Sequence, residues 1–382
     1  MKTASFKTVF LATLCLLFLG CKKNTSNDLL VFDVNGNYPV KTLDIEDVAD
    51  IEYLVLDISD VDYLFSHFLT MTDSFIICRA KPKFLFFSRK TGKPVSKVDR
   101  YGNGPGEYNN MISLFPVYSE LNNELFFFNS YQIYVYERDG TFKRKFPTVK
   151  PSFSLSGLYD FDEEHLLITG SSFRKEDMLD DSFMLISKQD GFVDVIKIPI
   201  EERVSLRAEQ GGMEVYADTY FAVRNGQDFL LTEYSSDTVY RFTPERELIP
   251  VLVRKPSIQK METKITLHSW LETGQYLFFS TQKIDFDWNT LKWPIAKGYL
   301  MEKNTGRFFQ TNIQMHDFKG YELILGPSII DKTSSQQTGI VVWNAWELHE
   351  ANKENKLNGK LQEVTERLTR EDEYVFMILN FK

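Results

Sequence analysis

Short apolar runs of strand length recur along most of the chain and are separated by polar turn signals. Representative runs are Phe84–Ser88, Leu125–Phe128, Ile133–Tyr136, Phe183–Ile186 and Tyr276–Phe279. Most of these runs are rich in aromatic or β-branched residues, which favour strands over helices. Little of the sequence before residue 344 sustains a helical period, so the pattern predicts an all-β body.

Five hairpin-like turn signals divide this strand-rich region into units of similar length. They are Thr91-Gly92, Asp139-Gly140, Asp190-Gly191, Pro244-Glu245 and Thr305-Gly306. A period of roughly 50 residues with several strands per unit is typical of β-propeller blades. Residues 29–344 hold about six units at the mean spacing, which predicts a six-bladed β-propeller. Seven blades with one short blade, or a large β-sandwich with coincidental spacing, are the alternatives.

The C-terminal part departs from the strand pattern. Trp343–Asn352 predicts a helix with Asn344 as its N-cap, and a second helical stretch opens at Asn358. The last apolar run, Tyr374–Phe381, predicts a strand. Because a propeller must close its ring or leave strand edges unpaired, we expect this strand to join a blade with Leu30–Val34 or its neighbour.

The first twenty residues have the organisation of a secretion signal. Two lysines precede the apolar stretch Val9–Leu19, which is shorter than the roughly 20 residues that a membrane-spanning helix needs. Gly20-Cys21 follows directly and resembles the processing site of a bacterial lipoprotein, although Phe18 stands where leucine is usual. The alternatives are an ordinary secretory peptide, with Cys21 incidental, and an uncleaved anchor.

These features predict three segments: a lipoprotein signal peptide over residues 1–20, a polar tether over 21–28 and the propeller over 29–382. A lipid on Cys21 would hold the protein on a membrane. Lys22, rather than aspartate, follows the cysteine, which resembles the signals of lipoproteins released to the outer membrane. The sequence leaves open whether the protein faces the periplasm or the cell surface.

Composition narrows the function classes. The 382 residues carry a net charge of −9 and are 43% hydrophobic and 25% charged, which is typical of a globular protein. The acidic balance argues against a nucleic-acid partner, which would require clustered lysine and arginine. Once the signal is removed and Cys21 is lipidated, Cys78 is the one remaining thiol, and we expect it to be a buried, unreactive side chain.

The stretch Arg100–Tyr108 resembles the most recognisable motif of the six-bladed β-propeller lipoprotein family of Bacteroidota. Ser236–Phe242 and the charged stretch Arg370–Glu373 before the terminal strand are similar to that family too, although Glu373-Tyr374 stands where the family usually has Asn-Pro. The resemblance covers roughly residues 29–382. It implies a six-bladed propeller related in shape to the NHL-repeat group, and it implies no known reaction.

The glycine-rich stretch invites comparison with a phosphate-binding loop. Its residues are Gly102, Gly104, Pro105, Gly106, Glu107 and Tyr108. The third glycine falls one residue too early for a dinucleotide-binding fingerprint, and no Lys-Ser or Lys-Thr follows as in a P-loop. We therefore expect a structural loop, in which the glycines adopt positive φ where the chain crosses between blades near the axis. Glu107 would accept hydrogen bonds from loop amides, and ligand contact is the alternative.

No local pattern predicts a catalytic or metal site. The five histidines are far apart and lack zinc-site spacing. Acidic groups around Asp57, Asp160 and Asp177 lack the spacing of a calcium loop, and no Gly-x-Ser-x-Gly elbow is present. We expect no cofactor, no metal and no catalytic residue, although a propeller can gather ligands at its axis from separate blades.

One aromatic loop stands out as a binding candidate. Trp288 and Trp293, beside Asp285 and Asp287, could form a carbohydrate platform, since aromatic faces stack on apolar sugar faces while polar neighbours bind hydroxyls. The alternative is that both indoles fill the core between blades. We expect at least one buried indole, with Trp288 the more exposed and Trp293 pointing inward through a strand-like alternation with Leu291 and Ile295.

Two functions therefore remain from the sequence. The first is a non-enzymatic, membrane-anchored propeller that binds a glycan or a protein of the cell envelope. The second is a hydrolase or lyase with an axial divalent metal.

Overall fold

The computed structural model describes residues 29–109, 116–129, 132–147, 154–171, 182–217, 220–326, 329, 337–369 and 374–382. The predicted signal peptide, the tether and Cys21 lie outside the described residues. The same holds for Asp177 and for Arg370–Glu373.

Three strands open the described chain: β1 (Leu30–Asp33), β2 (Val40–Asp44) and β3 (Ala49–Val55), with the short helix α1 (Ile45–Val48) before the third. A 3₁₀ turn at Val61–Tyr63 then leads into the first blade.

Five four-stranded antiparallel sheets follow as blades I to V. Blade I contains β4 (His67–Met71), β5 (Phe75–Ala80), β6 (Lys83–Ser88) and β7 (Pro94–Val98). Blade II contains β8 (Val117–Ser119), β9 (Glu124–Asn129), β10 (Gln132–Glu137) and β11 (Phe142–Pro147). Blade III contains β12 (Ser154–Asp160), β13 (His165–Ser171), β14 (Phe183–Ser187) and β15 (Val193–Ile196).

A hairpin of β16 (Arg207–Gln210) and β17 (Met213–Tyr216) separates blade III from blade IV. Blade IV contains β18 (Tyr220–Asn225), β19 (Asp228–Glu233), β20 (Thr238–Phe242) and β21 (Leu248–Lys255). A 3₁₀ turn at Ile258–Lys260 precedes blade V. Blade V contains β22 (Ile265–Glu272), β23 (Tyr276–Lys283), β24 (Lys297–Glu302) and β25 (Arg307–Gln314).

Blade VI combines both ends of the described chain. It contains β26 (Thr338–Asn344), β27 (Tyr374–Phe381) and β3, with the helices α2 (Ala345–Lys353) and α3 (Gly359–Arg367) between β26 and β27. The predicted N-cap is confirmed, because the Asn344 side chain accepts a hydrogen bond from the Trp346 amide. Asn358 precedes α3 as predicted, but its side chain makes no capping bond.

The prediction of a six-bladed, mostly β architecture is confirmed. All five turn signals lie between the third and fourth strands of blades I to V, so their spacing measures one blade each. In blades I, II, III and V the turn glycine has positive φ, and in blade IV Arg246 takes that conformation. First strands of neighbouring blades contact one another, as β8 with β12 and β18 with β22, which places the first strand nearest the axis.

The terminal strand does close the ring with an N-terminal strand, but its partner is neither Leu30–Val34 nor the strand that follows it. β27 pairs antiparallel with β3, with Met377 opposite Tyr53. β1 instead adds a parallel fifth strand to blade IV beside β21, and β2 does the same for blade V beside β25. The N-terminal segment thus covers the outer edges of three successive blades, which removes edges that would otherwise present unpaired amides and carbonyls.

Aromatic side chains fill the seams between blades. Between blades I and II, Phe84, Phe86, Tyr108, Phe127 and Tyr136 form one buried cluster. Wedge-shaped gaps between twisted sheets need large side chains, which accounts for the many buried phenylalanines among the described residues. Cys78 is buried as expected, and burial raises the pKa of its thiol.

The propeller has two distinct faces. The turn face carries the turns between first and second strands and between third and fourth strands, for example 72–74 and 89–93. The connector face carries the loops between second and third strands and the links between blades, for example 284–296 and 197–217.

A ring of hydrogen bonds joins all six seams at the turn face. The bonds run from Arg89 to Asn380, Ser74 to Glu120, Lys188 to Asn122, Arg224 to the Asp160 carbonyl, Glu272 to Asn225 and Gly274 to the Lys382 carbonyl. This ring holds the blades together on one side and leaves the connector face to carry the irregular loops.

Candidate functional site

The aromatic loop lies on the connector face, between the second and third strands of blade V. Phe286 lies between the two indoles, with ring centroids 4.9 Å from Trp288 and 5.0 Å from Trp293. The interplanar angles of 76° and 68° make both contacts edge-to-face, which is a favoured aromatic geometry. All three rings are half-buried, so each presents part of its surface to solvent.

Hydrogen bonds from Asp287 shape the turn of this loop. One of its carboxylate oxygens, Oδ1, accepts a bond from the Asn289 amide at 2.8 Å, and Oδ2 accepts one from the Thr290 hydroxyl at 2.8 Å. These bonds, that of Thr290 first, lower the pKa of Asp287. The carboxylate is therefore engaged in holding the loop. Asp285 is exposed and lies 2.6 Å from Lys283 Nζ.

The predicted orientations of the two indoles need correction. Neither Trp288 nor Trp293 belongs to the buried core, and neither is freely exposed. The strand-like alternation around Trp293 does not form, because Leu291 adopts positive φ and turns the chain, which leaves Ile295 84% exposed. The backbone bridge between Asp287 and Lys292 instead closes a small turn that holds the rings together.

The glycine-rich loop packs against blades I and II. Glu107 accepts the predicted bond from a loop amide, that of Gly104, at 2.8 Å. Tyr108 is fully buried and donates its hydroxyl to the Pro82 carbonyl at 2.7 Å. Burial raises the pKa of Tyr108. These contacts are those of a structural link between blades.

Two details of that loop differ from the prediction. Gly106 has positive φ, but Gly102 and Gly104 do not; a side chain at Gly102 would instead meet the Glu107 carboxylate at 2.0 Å. The loop also lies away from the axis, since a side chain at Gly106 would meet Phe142 on the outermost strand of blade II at 2.7 Å.

The Ser236–Phe242 motif is a structural element of the connector face. Asp237 accepts a bond from the Ile258 amide at 2.8 Å and lies 3.6 Å from Arg254 Nε. Arg254 is buried, and this burial lowers its pKa to about 10. The motif therefore fixes the link between blades IV and V.

Sequence patterns did not reveal a buried ion pair between blades III and IV. Glu233 is 1% exposed and accepts a bond from Arg203 Nη1 at 2.9 Å. Arg203 Nη1 also donates to the Ser182 hydroxyl at 2.9 Å, and that hydroxyl donates to Glu233. The three residues are too far apart in sequence to form a motif. Glutamate is rarely buried, and the burial of Glu233 becomes visible only once the fold is known.

Among the described residues, His268 is the one buried histidine. It lies on β22, stacks on Phe221 with centroids 4.2 Å apart, and its Nε2 has no hydrogen-bond partner. Burial lowers its pKa to about 3. Among the described residues, no group of three His, Cys, Asp or Glu side chains is arranged to hold a metal ion. Within the same part of the chain, no helix is long and apolar enough to cross a membrane.

Comparison with known proteins places the fold within one family. A family model described as a domain of unknown function (DUF4934) matches residues 29–380. A crystal structure of a protein described as exported, from Bacteroides fragilis, is 15% identical with a TM-score of 0.59, covering 92% of this chain and 99% of that chain. A member of the DUF4221 family from Bacteroides vulgatus is 8% identical with a TM-score of 0.45, covering 88% and 97%. No curated protein matches the chain.

Proposed function

The chain belongs to the DUF4934 family, whose function is unknown, and we propose that it is an exported, lipid-anchored binding protein without enzymatic activity. Its binding surface is the aromatic loop, and its ligand is a glycan of the cell envelope. The lipid on Cys21 anchors it at the outer membrane. The observation that carries this proposal is the group of three half-buried rings formed by Phe286, Trp288 and Trp293.

Preorganisation supports the choice of this loop. The Asp287 bonds and the edge-to-face contacts hold the rings before any ligand arrives, so little conformational entropy is lost on binding. Sugars present apolar faces to aromatic rings and hydroxyls to neighbouring polar groups. The exposed side chains of Asp285 and Asn289 are close in sequence to both indoles and supply such groups.

The sequence and one structural relative support export and anchoring. The apolar stretch Val9–Leu19 and the Gly20-Cys21 junction form the lipoprotein-like signal. The similar structure from Bacteroides fragilis is described as an exported protein. Replacing Cys21 by serine should abolish labelling with a radioactive fatty acid and release the protein from the membrane fraction. Retained labelling would overturn the anchor.

The binding surface is tested with Trp288→Ala and Trp293→Ala on a glycan array. We expect each variant to lose at least tenfold in signal on the glycans that the wild type binds. Phe192→Ala is the matched control, because Phe192 is an aromatic residue that is 73% exposed on the turn face. Wild-type binding by both tryptophan variants would exclude the loop. If the wild type binds no glycan but binds an envelope protein, and the tryptophan variants lose that binding, the ligand is a protein and not a glycan.

The alternative of an enzyme with an axial metal receives no specific support. It requires at least three ligands gathered from separate blades, and the described residues show no such group. On the first strands of blades I to V the histidines are His67, an exposed residue of β4, and the buried His268 of β22.

A further inference from the structure

A cavity of about 260 Å³ opens beside the buried Arg203–Glu233 pair, between blades III and IV. Its lining residues are Ser182, Ile196, Lys197, Ile198, Ile200, Arg203 and Glu233. We propose that this cavity binds a small organic anion: a carboxylate on a short unbranched alkyl chain. This site shares no residue with the aromatic loop, and the inference stands independently of the proposed glycan binding.

The polar side chains of the cavity wall are held in place by a connected set of hydrogen bonds. Glu233 Oε2 accepts bonds from both Arg203 and Ser182, and Oε1 accepts one from the Ser235 amide at 3.0 Å. The Ser235 hydroxyl in turn accepts a bond from the Val204 amide at 3.1 Å, next to Arg203. The link between the blades is thereby fixed to the end of β19, and the guanidinium is held in one position at the cavity.

The charges on the cavity wall favour an anion. Arg203 and Lys197 are cationic, and Glu233 is the one anionic side chain among the lining residues. The lining therefore carries one net positive charge. Because Glu233 already accepts three hydrogen bonds, it has little remaining capacity to bind a cationic ligand. The ammonium of Lys197 is on an exposed side chain at the rim, where it can close over an incoming carboxylate.

The remaining wall is apolar and selects the rest of the ligand. Ile196 is buried, and Ile198 and Ile200 are partly buried, on the strand end and link that border the cavity. A wholly inorganic anion would leave this wall in contact with water, whereas an alkyl chain would cover it. At about 30 Å³ per water-sized group, the volume fits roughly eight or nine non-hydrogen atoms, which corresponds to hexanoate.

An ion pair with a purely structural role explains less of the geometry. A structural pair needs Arg203 and Glu233 to be packed tightly, because buried charges are stabilised by complete pairing and close contact. Here the pair instead borders an open volume that also receives a second cation and three isoleucines. The ligand proposal accounts for all of these features together.

The test is isothermal titration of the purified, detergent-solubilised full-length protein with hexanoate, butyrate, acetate, inorganic phosphate and 1-hexanol. We expect hexanoate to bind in the millimolar range or tighter, and affinity to fall in the order hexanoate, butyrate, acetate. Hexanol and phosphate should each bind at least tenfold more weakly than hexanoate, because each lacks either the charge or the alkyl chain. Equal affinity for hexanol, tightest binding of phosphate, or no hexanoate binding would each overturn the proposal.

Two variants localise the binding without breaking the buried pair. Lys197→Glu reverses the rim charge and should weaken hexanoate binding at least tenfold, while Lys260→Glu makes the same change at another exposed lysine of the connector face and should not. Ile198→Trp should fill the cavity and abolish hexanoate binding. The variant should still unfold in a cooperative thermal transition, which shows that it is folded. Wild-type affinity in both Lys197→Glu and Ile198→Trp would place any binding elsewhere and overturn the site. Trp288→Ala should bind hexanoate normally.

Discussion

On the turn face, short turns of repeated form hydrogen-bond from each blade to the next, whereas on the connector face the loops between second and third strands range from residues 81–82 to residues 284–296. The turn face repeats one arrangement in blades I, III and V. The amides of Arg89, Lys188 and Lys303 each donate to the preceding turn at 2.9 Å, and their side chains bond a carbonyl of that same turn.

This difference indicates which parts of the chain can vary in sequence, and so carry a binding site, without destabilising the propeller. The side chains that form the ring on the turn face, such as Arg89 and Lys188, bond across a seam between blades, so replacing them disturbs the ring. On the connector face the rings of the aromatic loop and the Arg203–Glu233 cavity are fixed locally, within one loop or one seam. Loops that are held by their own contacts can differ without opening the propeller.

The largest expected effect comes from Lys188→Met on the turn face. Lys188 is buried, and its ammonium lies 2.7 Å from Asp160 and 2.6 Å from the Asn122 side chain. Removing the ammonium leaves the Asp160 carboxylate, which is only 14% exposed, without its cationic partner, and this should cost about 3–5 kcal/mol of unfolding free energy. Urea unfolding of the purified variant measures this loss.

The matched control for that variant lies in an exposed ion pair. Lys97 pairs with Asp62, whose side chain is 51% exposed, and water can replace this contact. Lys97→Met should therefore leave the unfolding midpoint nearly unchanged. Similar losses in Lys97→Met and Lys188→Met would contradict the view that buried ties of the turn face dominate stability.

The next prediction separates two contributions to stability: the backbone conformation of a turn glycine and its contact with the neighbouring blade. Gly92 and Gly306 occupy the same turn position in blades I and V, with φ of +70° and +67°. A side chain at Gly306 meets nothing within 4 Å, but one at Gly92 would lie 2.2 Å from the Val55 carbonyl of blade VI. Gly306→Ala should cost about 1–2 kcal/mol for its left-handed backbone. Gly92→Ala should cost about 2–4 kcal/mol, since it also forces the closing seam apart.

Denaturant unfolding of the two alanine variants side by side measures that difference. Equal losses would show that the seam between blades VI and I yields easily at β3.

The fold was predictable from sequence because its signals are local and repeated. The five turns mark one blade each, and the Asn344 cap and the apolar run at Tyr374–Phe381 are read within a few residues. A further local signal was available: Arg89, Lys188 and Lys303 each stand three residues before a turn glycine.

The closing pair and the cavity were not predictable, because they join residues that are distant in sequence. β27 could pair with any of the N-terminal strands, and the choice of β3 follows from how β1 and β2 cover blades IV and V. Glu233 reads as an ordinary acidic residue at a strand end until the fold brings Ser182 and Arg203 to it. For Trp293, the positive φ of Leu291 overrode the apparent strand alternation.

An intermediate effect on stability is expected from His268, which is buried in the interior between the two faces. Burial lowers the pKa of His268 to about 3, against an ordinary value of 6.5. As the pH falls below 6.5 the unfolded chain takes up a proton that the folded chain refuses until about pH 3, so stability declines through that window. Between pH 7 and pH 5 the loss from this group is about 2 kcal/mol.

Replacing this histidine isolates its contribution. His268→Phe keeps an aromatic ring against Phe221 and removes the titrating group. The difference in unfolding free energy between pH 7 and pH 5 should shrink by about 2 kcal/mol relative to the wild type. An unchanged difference would mean that His268 becomes protonated without unfolding.

The smallest expected loss is that of Trp288→Ala on the connector face, and the buried Trp270 of the core is its reference. Trp270 is 1% exposed, and Trp270→Ala should cost about 3–5 kcal/mol, as for other buried aromatic residues. Trp288 is half-buried against Phe286 in a loop that Asp287 holds independently. Trp288→Ala should therefore cost only about 1–2 kcal/mol, the share of a large aromatic surface that is already removed from water. Thermal unfolding of both variants compares them directly. If Trp288→Ala destabilises the protein as much as Trp270→Ala, the indole is a support for blade V and its ring is not available to a ligand.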